Sequence, residues 1–228
     1  MIETRELQAV YYFGTESIDE FSYGVGLLPE DKNFVDRLKR EGSDPDRPSR
    51  NVTGYGTLSL GLPLNTDVLP KRIIWEGPKR PIADVCKIFG LFLVKRKFRD
   101  IVESLEPNVH QFTSVNVVWP DGKSAEGDFF WFIVAQSLDG VDKEQTTSPL
   151  RYSKIKGSDK QVRLVWRSDD PETFAPYTFV FNRDQIGSAH LWQDEYMVVG
   201  PFYSDTLRRA CEAAGVVGMN HPEPDKVV

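Results

Sequence analysis

Residues 111–135 read Gln-Phe-Thr-Ser-Val-Asn-Val-Val-Trp, then Pro-Asp-Gly-Lys-Ser-Ala-Glu-Gly-Asp, and then Phe-Phe-Trp-Phe-Ile-Val-Ala. In the first part, apolar side chains stand near every second position, at Phe112, Val115, Val117 and Trp119. This spacing is typical of a strand with one buried face. Residues 120–123 form a turn, because proline presets one backbone angle and glycine tolerates a positive φ. Residues 129–135 are apolar on both faces, so we predict an antiparallel hairpin whose second strand is central and covered by a helix.

Two segments outside the hairpin have the period of amphipathic helices. Residues 95–105 place four apolar side chains at i, i+3, i+4 and i+7, and Pro107 ends the predicted helix. The second helix begins at Ser204, a favourable N-cap, with Asp205 facing the helix dipole, and it ends at Gly215. A shorter helical unit is predicted at residues 33–40. The expected buried side chains are Phe98, Ile101, Val102 and Leu105 in the first helix, Leu207, Ala210, Cys211 and Ala214 in the second, and Phe34, Val35 and Leu38 in the short unit.

The order of the predicted elements indicates the fold class. Further strands are predicted at residues 10–13, 162–166, 177–181 and 216–219. Strands follow one another with few helices between them, which is typical of an α+β fold. We therefore expect an antiparallel or mixed sheet with helices packed on one side.

Turn-forming residues divide the chain weakly into two regions. Residues 42–56 are rich in glycine, proline, serine and aspartate, and they predict an irregular surface loop. Residues 58–69 are apolar but interrupted by glycine and proline, so we expect irregular chain that crosses the core. These breaks predict an N-terminal region at 1–84 and a C-terminal α+β domain at 85–228, or one continuous domain formed by both.

The composition argues against two broad classes of protein. With 28 basic and 34 acidic side chains, the net charge of −6 disfavours tight nucleic-acid binding and permits binding to a basic protein. The apolar runs are far shorter than the roughly 20 residues that a membrane helix needs. No basic segment leads into an apolar stretch at the N-terminus, so we expect no secretory signal. Cys86 and Cys211 are expected to be reduced, buried thiols, with a bridge as the alternative.

No catalytic or metal-binding motif is present in the sequence. The three histidines, His110, His190 and His221, are widely separated, and no Cys-x-x-Cys pair exists. The glycines of residues 54–61 match neither a dinucleotide-binding loop nor a phosphate-binding loop. We therefore expect no catalytic residue, no metal and no cofactor. An enzyme whose distant residues meet in a cleft remains an alternative.

Two charged segments are candidate binding surfaces. Residues 150–167 contain six basic side chains with Tyr152 and Trp166 among them, a composition that nucleic-acid grooves use, although the net charge favours a plain lysine-rich loop. Residues 169–205 contain seven acidic side chains against Arg183 alone. An acidic surface with aromatic side chains is suited to a basic protein partner, and its alternative is a solvated face.

The C-terminal part resembles a known family in four short motifs. In order, these are Glu-Ser-Leu-Glu-Pro-Asn-Val-His-Gln-Phe (103–112), Ile-Gly-Ser-Ala-His-Leu-Trp (186–192), Tyr-Ser-Asp-Thr-Leu (203–207) and Ala-Ala-Gly-Val (213–216). The chain is similar over roughly residues 85–220 to the polymorphic-toxin immunity family, once described as a bacterial domain of unknown function and later grouped as the eleventh immunity type. In that family a serine usually starts the helix that begins here at Lys95.

The resemblance implies a cytoplasmic bacterial protein that neutralises a cognate toxin from neighbouring cells. It carries over no catalytic residue, so the residues interpreted structurally first are Glu106, Pro107, His110, Phe112, His190 and Trp192. His190 and Trp192 stand two apart on an extended segment and so face the same side, which predicts that they pack together in the core, with toxin contact as the alternative. Stoichiometric occlusion of the toxin is the implied mechanism, and a nuclease toxin would suit an acidic surface. A secretion adaptor or chaperone for an effector is the alternative function, and the oligomeric state stays open. The expected partner contacts are Asp169, Asp170, Glu172, Trp192, Asp194 and Glu195.

Overall fold

The computed structural model describes most of the chain, with several gaps. It covers residues 9–15, 24–38, 58, 61–76, 79, 81–146, 150–154, 161–165, 179–195, 200–220 and 226–228. Within these residues, no helix is both long enough and apolar enough to cross a membrane.

Runs of strands are separated by a few helices along the described residues. The helices are α1 Phe34–Arg37, α2 Arg96–Leu105, α3 Arg183–Ile186 and α4 Asp205–Ala213. The strands are β1 Val10–Tyr12, β2 Val25–Leu27, β3 Arg72–Trp75, β4 Val85–Ile88, β5 Leu91–Lys95, β6 Gln111–Val118, β7 Phe129–Ile133, β8 Ser137–Leu138, β9 Leu150–Lys154, β10 Gln161–Val165, β11 Val180–Phe181, β12 Leu191–Asp194, β13 Phe202–Ser204 and β14 Lys226–Val227. Strands β9 and β10 form an antiparallel pair, and β11 and β14 form a parallel pair.

The largest sheet, sheet I, has six strands in the order β2-β3-β6-β7-β5-β4. Its neighbours are antiparallel except for β3 and β6, so the sheet is mixed. Strands β6 and β7 pair with Phe112 opposite Phe132 and Val115 opposite Phe129, which confirms the predicted hairpin. Strand β7 lies between β5 and β6, and all five of its side chains are buried. The prediction of a central strand that is apolar on both faces is confirmed.

One face of sheet I is covered by α1 with Leu38 and by residues 61–69, which together with that face form the first core. The side chains that cover the face include Phe34, Leu38, Leu64 and Leu69. Gln111 holds the main chain of Leu64 at two points, because its Oε1 accepts from the amide at 2.8 Å and its Nε2 donates to the carbonyl at 3.0 Å. Trp131 Nε1 donates to the carbonyl of Pro70 at 2.7 Å. Side chains of sheet I thus satisfy main-chain groups of an irregular segment, as buried amides and carbonyls require.

The opposite face of sheet I packs against α2, α4 and part of a second sheet, and this contact is the second core. The helices contribute Phe98, Val102, Leu207 and Cys211. Phe13 lies among the rings of this core, with centroid distances of 4.7 Å to Phe92 and 5.8 Å to Tyr203. The two longer helices therefore pack on one side of sheet I, and the α+β class is confirmed.

The second sheet, sheet II, has four strands in the order β1-β13-β12-β8. Its side chains alternate between two cores, as the two-residue period of a strand dictates. Tyr11, Leu191 and Tyr203 belong to the second core. Val10, Trp192 and Phe202 belong to a third core, which β11 and α3 complete. Sheet II is therefore an inner layer with apolar contacts on both faces.

The two longer helices begin in different ways. Ser204 caps α4, since its Oγ accepts a hydrogen bond from the amide of Leu207 at 3.2 Å, and the predicted N-cap is confirmed. Lys95 makes no side-chain cap at the start of α2. The amide of Arg96 instead donates to the carbonyl of Asp128 at 3.1 Å. The main chain of the hairpin thus replaces part of the missing cap.

Two local predictions at the end of α4 are wrong. Ala214 is exposed, because the helix ends at Ala213. Residues 216–219 form no regular strand, and Met219 makes only an isolated bridge with Thr15. The carbonyl of Val217 accepts from two successive amides at the start of β4, so this segment crosses the strand end instead of running beside it.

Strands from both sides of residue 84 share the sheets. Strands β2 and β3 belong to sheet I, and β1 belongs to sheet II. The division into 1–84 and 85–228 stays a prediction, and the predicted loop at 42–56 lies outside the described residues. The predicted strands at 162–166 and 177–181 correspond in their described parts to β10 and β11.

Gly218 allows two main-chain segments to approach closely. We expect a substitution at this position to destabilise the fold. Its φ is +100°, and a Cβ built on it would lie 2.2 Å from the carbonyl oxygen of Val85. Gly122 has a similar φ of +81° but open space around its Cβ position. We expect Gly218→Ala to lower the free energy of unfolding by about 3 kcal/mol or more, and Gly122→Ala by about 1 kcal/mol. Urea denaturation of both variants tests this, and equal losses would contradict the close approach.

Candidate functional site

The expected partner contacts fall into three structural settings. Asp169, Asp170 and Glu172 lie outside the described residues. Glu195 follows β12 and is partly exposed. Trp192 and Asp194 are buried, with exposed fractions of 0% and 2%.

Trp192 lies in the third core and out of reach of a partner in this conformation. Its ring centroid is 6.1 Å from that of Phe181 and 6.3 Å from that of Phe202. Asp194 is also interior, and its Oδ2 accepts a hydrogen bond from the amide of Gly140 at 2.9 Å. The sequence predicts these two side chains on an acidic surface, whereas the alternation of β12 turns them inward beneath β11 and α3. Partner contact by the six residues stays a prediction, and these two support the fold.

Glu106 accepts hydrogen bonds from the nearby His110 and from His190, which is 84 residues away in sequence. Its Oε2 lies 2.9 Å from His110 Nε2, and its Oε1 accepts from the amide of His190 at 2.8 Å. The amide of Ala135 donates to His110 Nδ1 at 3.3 Å, so Nδ1 is unprotonated and Nε2 carries the proton that Glu106 accepts. Glu106 and His110 are both buried. The carboxylate therefore joins the end of α2, the end of β7 and the start of β12.

The ring of His190 continues this network to α4. Its Nδ1 lies 2.9 Å from Oγ of Ser204, the residue that caps α4. Burial of the ring lowers the pKa of His190, and this effect outweighs the attraction of the Glu106 and Asp205 carboxylates, which favour the charged form. The neutral ring thus links the polar network of Glu106 to the helix cap.

Two further residues of the first motif also serve the fold. Phe112 stacks on Phe132 of β7, with ring centroids 4.8 Å apart and an interplanar angle of 18°. Gln111 makes the paired hydrogen bonds to Leu64. The sequence alone does not predict these hydrogen bonds of Gln111, because their partner is a main-chain segment 47 residues away. Its position in the motif, between His110 and Phe112, was the available signal.

Asp84 is a second buried carboxylate that sequence reasoning missed. Its Oδ2 accepts from Lys97 Nζ and from the amide of Val217, both at 3.0 Å. Lys97 Nζ also donates to the carbonyl of Gly215 at 3.0 Å. This contact joins the first turn of α2 to the chain that leaves α4.

Ser204, His190 and Glu106 are the residue types of a hydrolase catalytic triad, but their geometry is that of a helix N-cap. A serine nucleophile must reach its substrate, and its histidine must be oriented through the ring by the acid. Ser204 is fully buried, and its hydroxyl already accepts the amide of Leu207. Glu106 binds the main-chain amide of His190. These three residues therefore orient the start of α4.

The two cysteines are buried free thiols, as predicted. Cys86 belongs to the first core and Cys211 to the second, so sheet I separates them. Burial raises the pKa of Cys211 to about 12, which keeps its thiol protonated. Among the residues that the structure describes, no group of three or more His, Cys, Asp or Glu side chains is placed to hold a metal ion.

The buried motif side chains thus include Glu106, His110, Leu191, Trp192 and Leu207. The polar side chains among them bind one another or the main chain, and they join helices and strands that are far apart in sequence. This arrangement stabilises a particular fold, and in the described residues it assembles no accessible reactive group. A function of the described part is therefore expected on its surface.

A comparison of the sequence with models of known protein families gives a match. The model of the immunity protein family, Imm11, matches residues 68–223, which include all four motifs. No curated protein matches the chain.

Replacement of Glu106 tests its role as a double acceptor. In Glu106→Gln one carboxylate oxygen becomes an amide nitrogen, which meets a donor where an acceptor is required. We expect the free energy of unfolding to fall by about 1–3 kcal/mol. Glu103→Gln, on the partly exposed side of the same helix, is the matched control and should change it by less than about 0.5 kcal/mol. Urea denaturation measures both, and similar small effects would contradict the role of Glu106.

The lowered pKa of His190 predicts a dependence of stability on pH. Well above the ordinary histidine pKa of 6.5, this ring is neutral in both the folded and the unfolded chain, so it does not make the free energy of unfolding depend on pH. As the pH falls below that value, the unfolded chain takes up the proton more readily, so the free energy of unfolding falls until the folded pKa is passed. His190→Asn removes this contribution. We expect the variant to lose less stability than the wild type on acidification in urea titrations, and parallel curves would contradict the assignment.

Proposed function

The chain belongs to the immunity protein family Imm11, and on this basis we propose that it binds and neutralises a cognate antibacterial toxin in the cytoplasm. The observation that carries the proposal is the family match over residues 68–223, which spans both longer helices and most of sheet I. The burial of the motif side chains Glu106, His110 and Trp192 supports a protein that acts through its surface.

The proposed mechanism is stoichiometric occlusion without turnover. One immunity protein covers the active site of one toxin, or a surface that the toxin needs for its substrate. Complexes of this kind bury about 1,600 Å² in total, and protection in a cell requires an affinity of about nanomolar or tighter. The layered fold suits this role, because side chains held by three cores keep the surface preorganised and reduce the entropy lost on binding.

We further propose that the acidic segment around residues 169–195 contributes to the contact. Asp169, Asp170 and Glu172 are expected at the surface from the sequence alone, and Glu195 is partly exposed. If the toxin is a nuclease, its substrate groove is cationic, and an acidic surface competes there with phosphate. The net charge of −6 favours attraction between the two proteins at long range.

Co-expression is the direct test of neutralisation. The toxin encoded by the neighbouring gene is induced in a bacterial host with or without this chain. We expect growth to be restored only when the chain is present, and the purified pair to form a one-to-one complex by light scattering. A complex without rescue would favour a secretion adaptor, and continued death with abundant chain would refute neutralisation.

Charge reversal tests the acidic contact separately. We expect Asp169→Lys with Asp170→Lys to slow association by about tenfold or more at low salt, because long-range attraction raises association rates. Glu30→Lys with Asp36→Lys, which changes the net charge equally near α1, is the matched control. Stopped-flow mixing at increasing salt measures both. Equal rates in the two variants, or a wild-type rate that is indifferent to salt, would place the interface elsewhere.

A further inference from the structure

Sheet I is incompletely covered on the face that carries α2. On β6 the side chains of Ser114 and Asn116 are exposed, whereas Val115 and Val117, which alternate with them, are buried in the first core. Ser114 pairs with Phe130 of β7, so the exposed pair lies on the same face as the second core. The helix therefore leaves part of this sheet face open to solvent.

The open face forms the floor of a groove of about 570 Å³. One wall is the first turns of α2, with Arg96 and Arg99, and another is the chain from Ser124 to Phe130 after the turn. Lys71, just before β3, closes a third side. This volume lies within the range of about 300–1,000 Å³ that is usual for binding sites.

The groove is cationic in a chain that is acidic overall. Of the four charged side chains that line it, Lys71, Arg96 and Arg99 are basic, and Asp128 is acidic. The whole chain has 34 acidic and 28 basic residues, so this local excess of positive charge runs against the composition. A concave surface of one sign concentrates its field on a ligand of the opposite sign.

Both arginines are held in place before any ligand arrives. The Arg99 guanidinium lies 4.5 Å from the ring centroid of Phe130, and it also donates to Asp100 Oδ1 through Nε and Nη2. Arg96 Nε donates to Asp128 Oδ2 at 2.9 Å. Asp100 thus occupies Nε and Nη2 of Arg99, and Asp128 occupies Nε of Arg96, so a ligand carboxylate would meet the remaining N–H groups of each guanidinium. A guanidinium that is already fixed loses little entropy on binding.

We propose that this groove docks an acidic, extended segment of the toxin. The inference rests on the proposed function and adds the site and the chemistry of one contact. Arg96 and Arg99 are three residues apart on α2, so their Cβ atoms are about 5–6 Å apart. An extended segment presents every second side chain on one side at a spacing of about 6.6 Å, which allows two carboxylates to meet the two arginines.

The groove favours a protein segment over nucleic acid. A phosphate backbone carries a negative charge on every nucleotide and would bring some of them near Asp128, whereas a segment with two carboxylates can place both against the arginines. Ser114 and Asn116 on the floor supply hydroxyl and amide groups of the kind that bind main-chain amides and carbonyls. The acidic surface proposed above is a separate contact area with the opposite charge preference.

The first test removes the two positive charges. Arg96→Gln with Arg99→Gln is compared with Lys32→Gln with Arg37→Gln, which lowers the net charge equally at exposed positions before and within α1. Each protein is titrated by calorimetry into the purified toxin domain encoded by the neighbouring gene. We expect the groove variant to bind about tenfold to a hundredfold more weakly and the control to bind within about twofold of the wild type.

The second test fills the groove and leaves both arginines in place. Ser114→Tyr adds a ring to the floor on a strand position that accepts aromatic residues. Gln185→Tyr, exposed on α3, is the matched control. We expect the filled groove to weaken binding by at least about tenfold and the control to bind as the wild type does. Thermal unfolding of every variant verifies that the fold is retained.

The outcomes separate the two proposals. If the wild type forms no complex with the toxin, the proposed function fails and the groove proposal fails with it. If the wild type binds and both groove variants bind equally well, only the groove proposal is overturned. Gel shifts with a DNA duplex and a folded RNA complete the test. A shift by the wild type that the groove variants lose would assign the groove to nucleic acid and overturn the acidic segment as its occupant.

Discussion

Strand β7 has no side that tolerates water, and the architecture follows from that constraint. All five of its side chains are buried, so sheet I needs a cover on each face. Helices α2 and α4 with sheet II supply one cover, and α1 together with the irregular chain at residues 61–69 supplies the other. An irregular cover leaves main-chain groups without sheet partners, which explains why Gln111 and Trp131 direct polar atoms to Leu64 and Pro70.

The covers are joined by buried polar contacts that have defined geometry. Glu106 accepts hydrogen bonds from His110 and from the amide of His190, and the ring of His190 is hydrogen-bonded to Ser204, the cap of α4. Buried polar groups are costly when they are unpaired, so a network of this kind accepts one arrangement of the elements and penalises others. Apolar packing alone tolerates small shifts between layers. These contacts therefore specify how the layers meet.

This division of roles separates the family from the specificity of one member. The buried motif side chains, such as Glu106, His110 and Trp192, maintain the scaffold. In the proposed function, recognition of a toxin would depend on surface charge and shape, for which the acidic segment and the groove beside α2 are the two proposed contacts. Surface residues can change without loss of the interior network, so a shared fold is compatible with different partners.

The sequence by itself determined the hairpin, α2, α4 with its serine cap, and the α+β class, because periodicity, turn residues and caps act over a few neighbouring residues. It did not determine what lies above each strand. Trp192 and Asp194 alternate like surface residues, and only packing beneath β11 and α3 buries them. The contact of Glu106 with His190 spans 84 residues. The groove beside α2 likewise exists only because the helix leaves part of sheet I uncovered, and long-range packing of this kind leaves no local pattern.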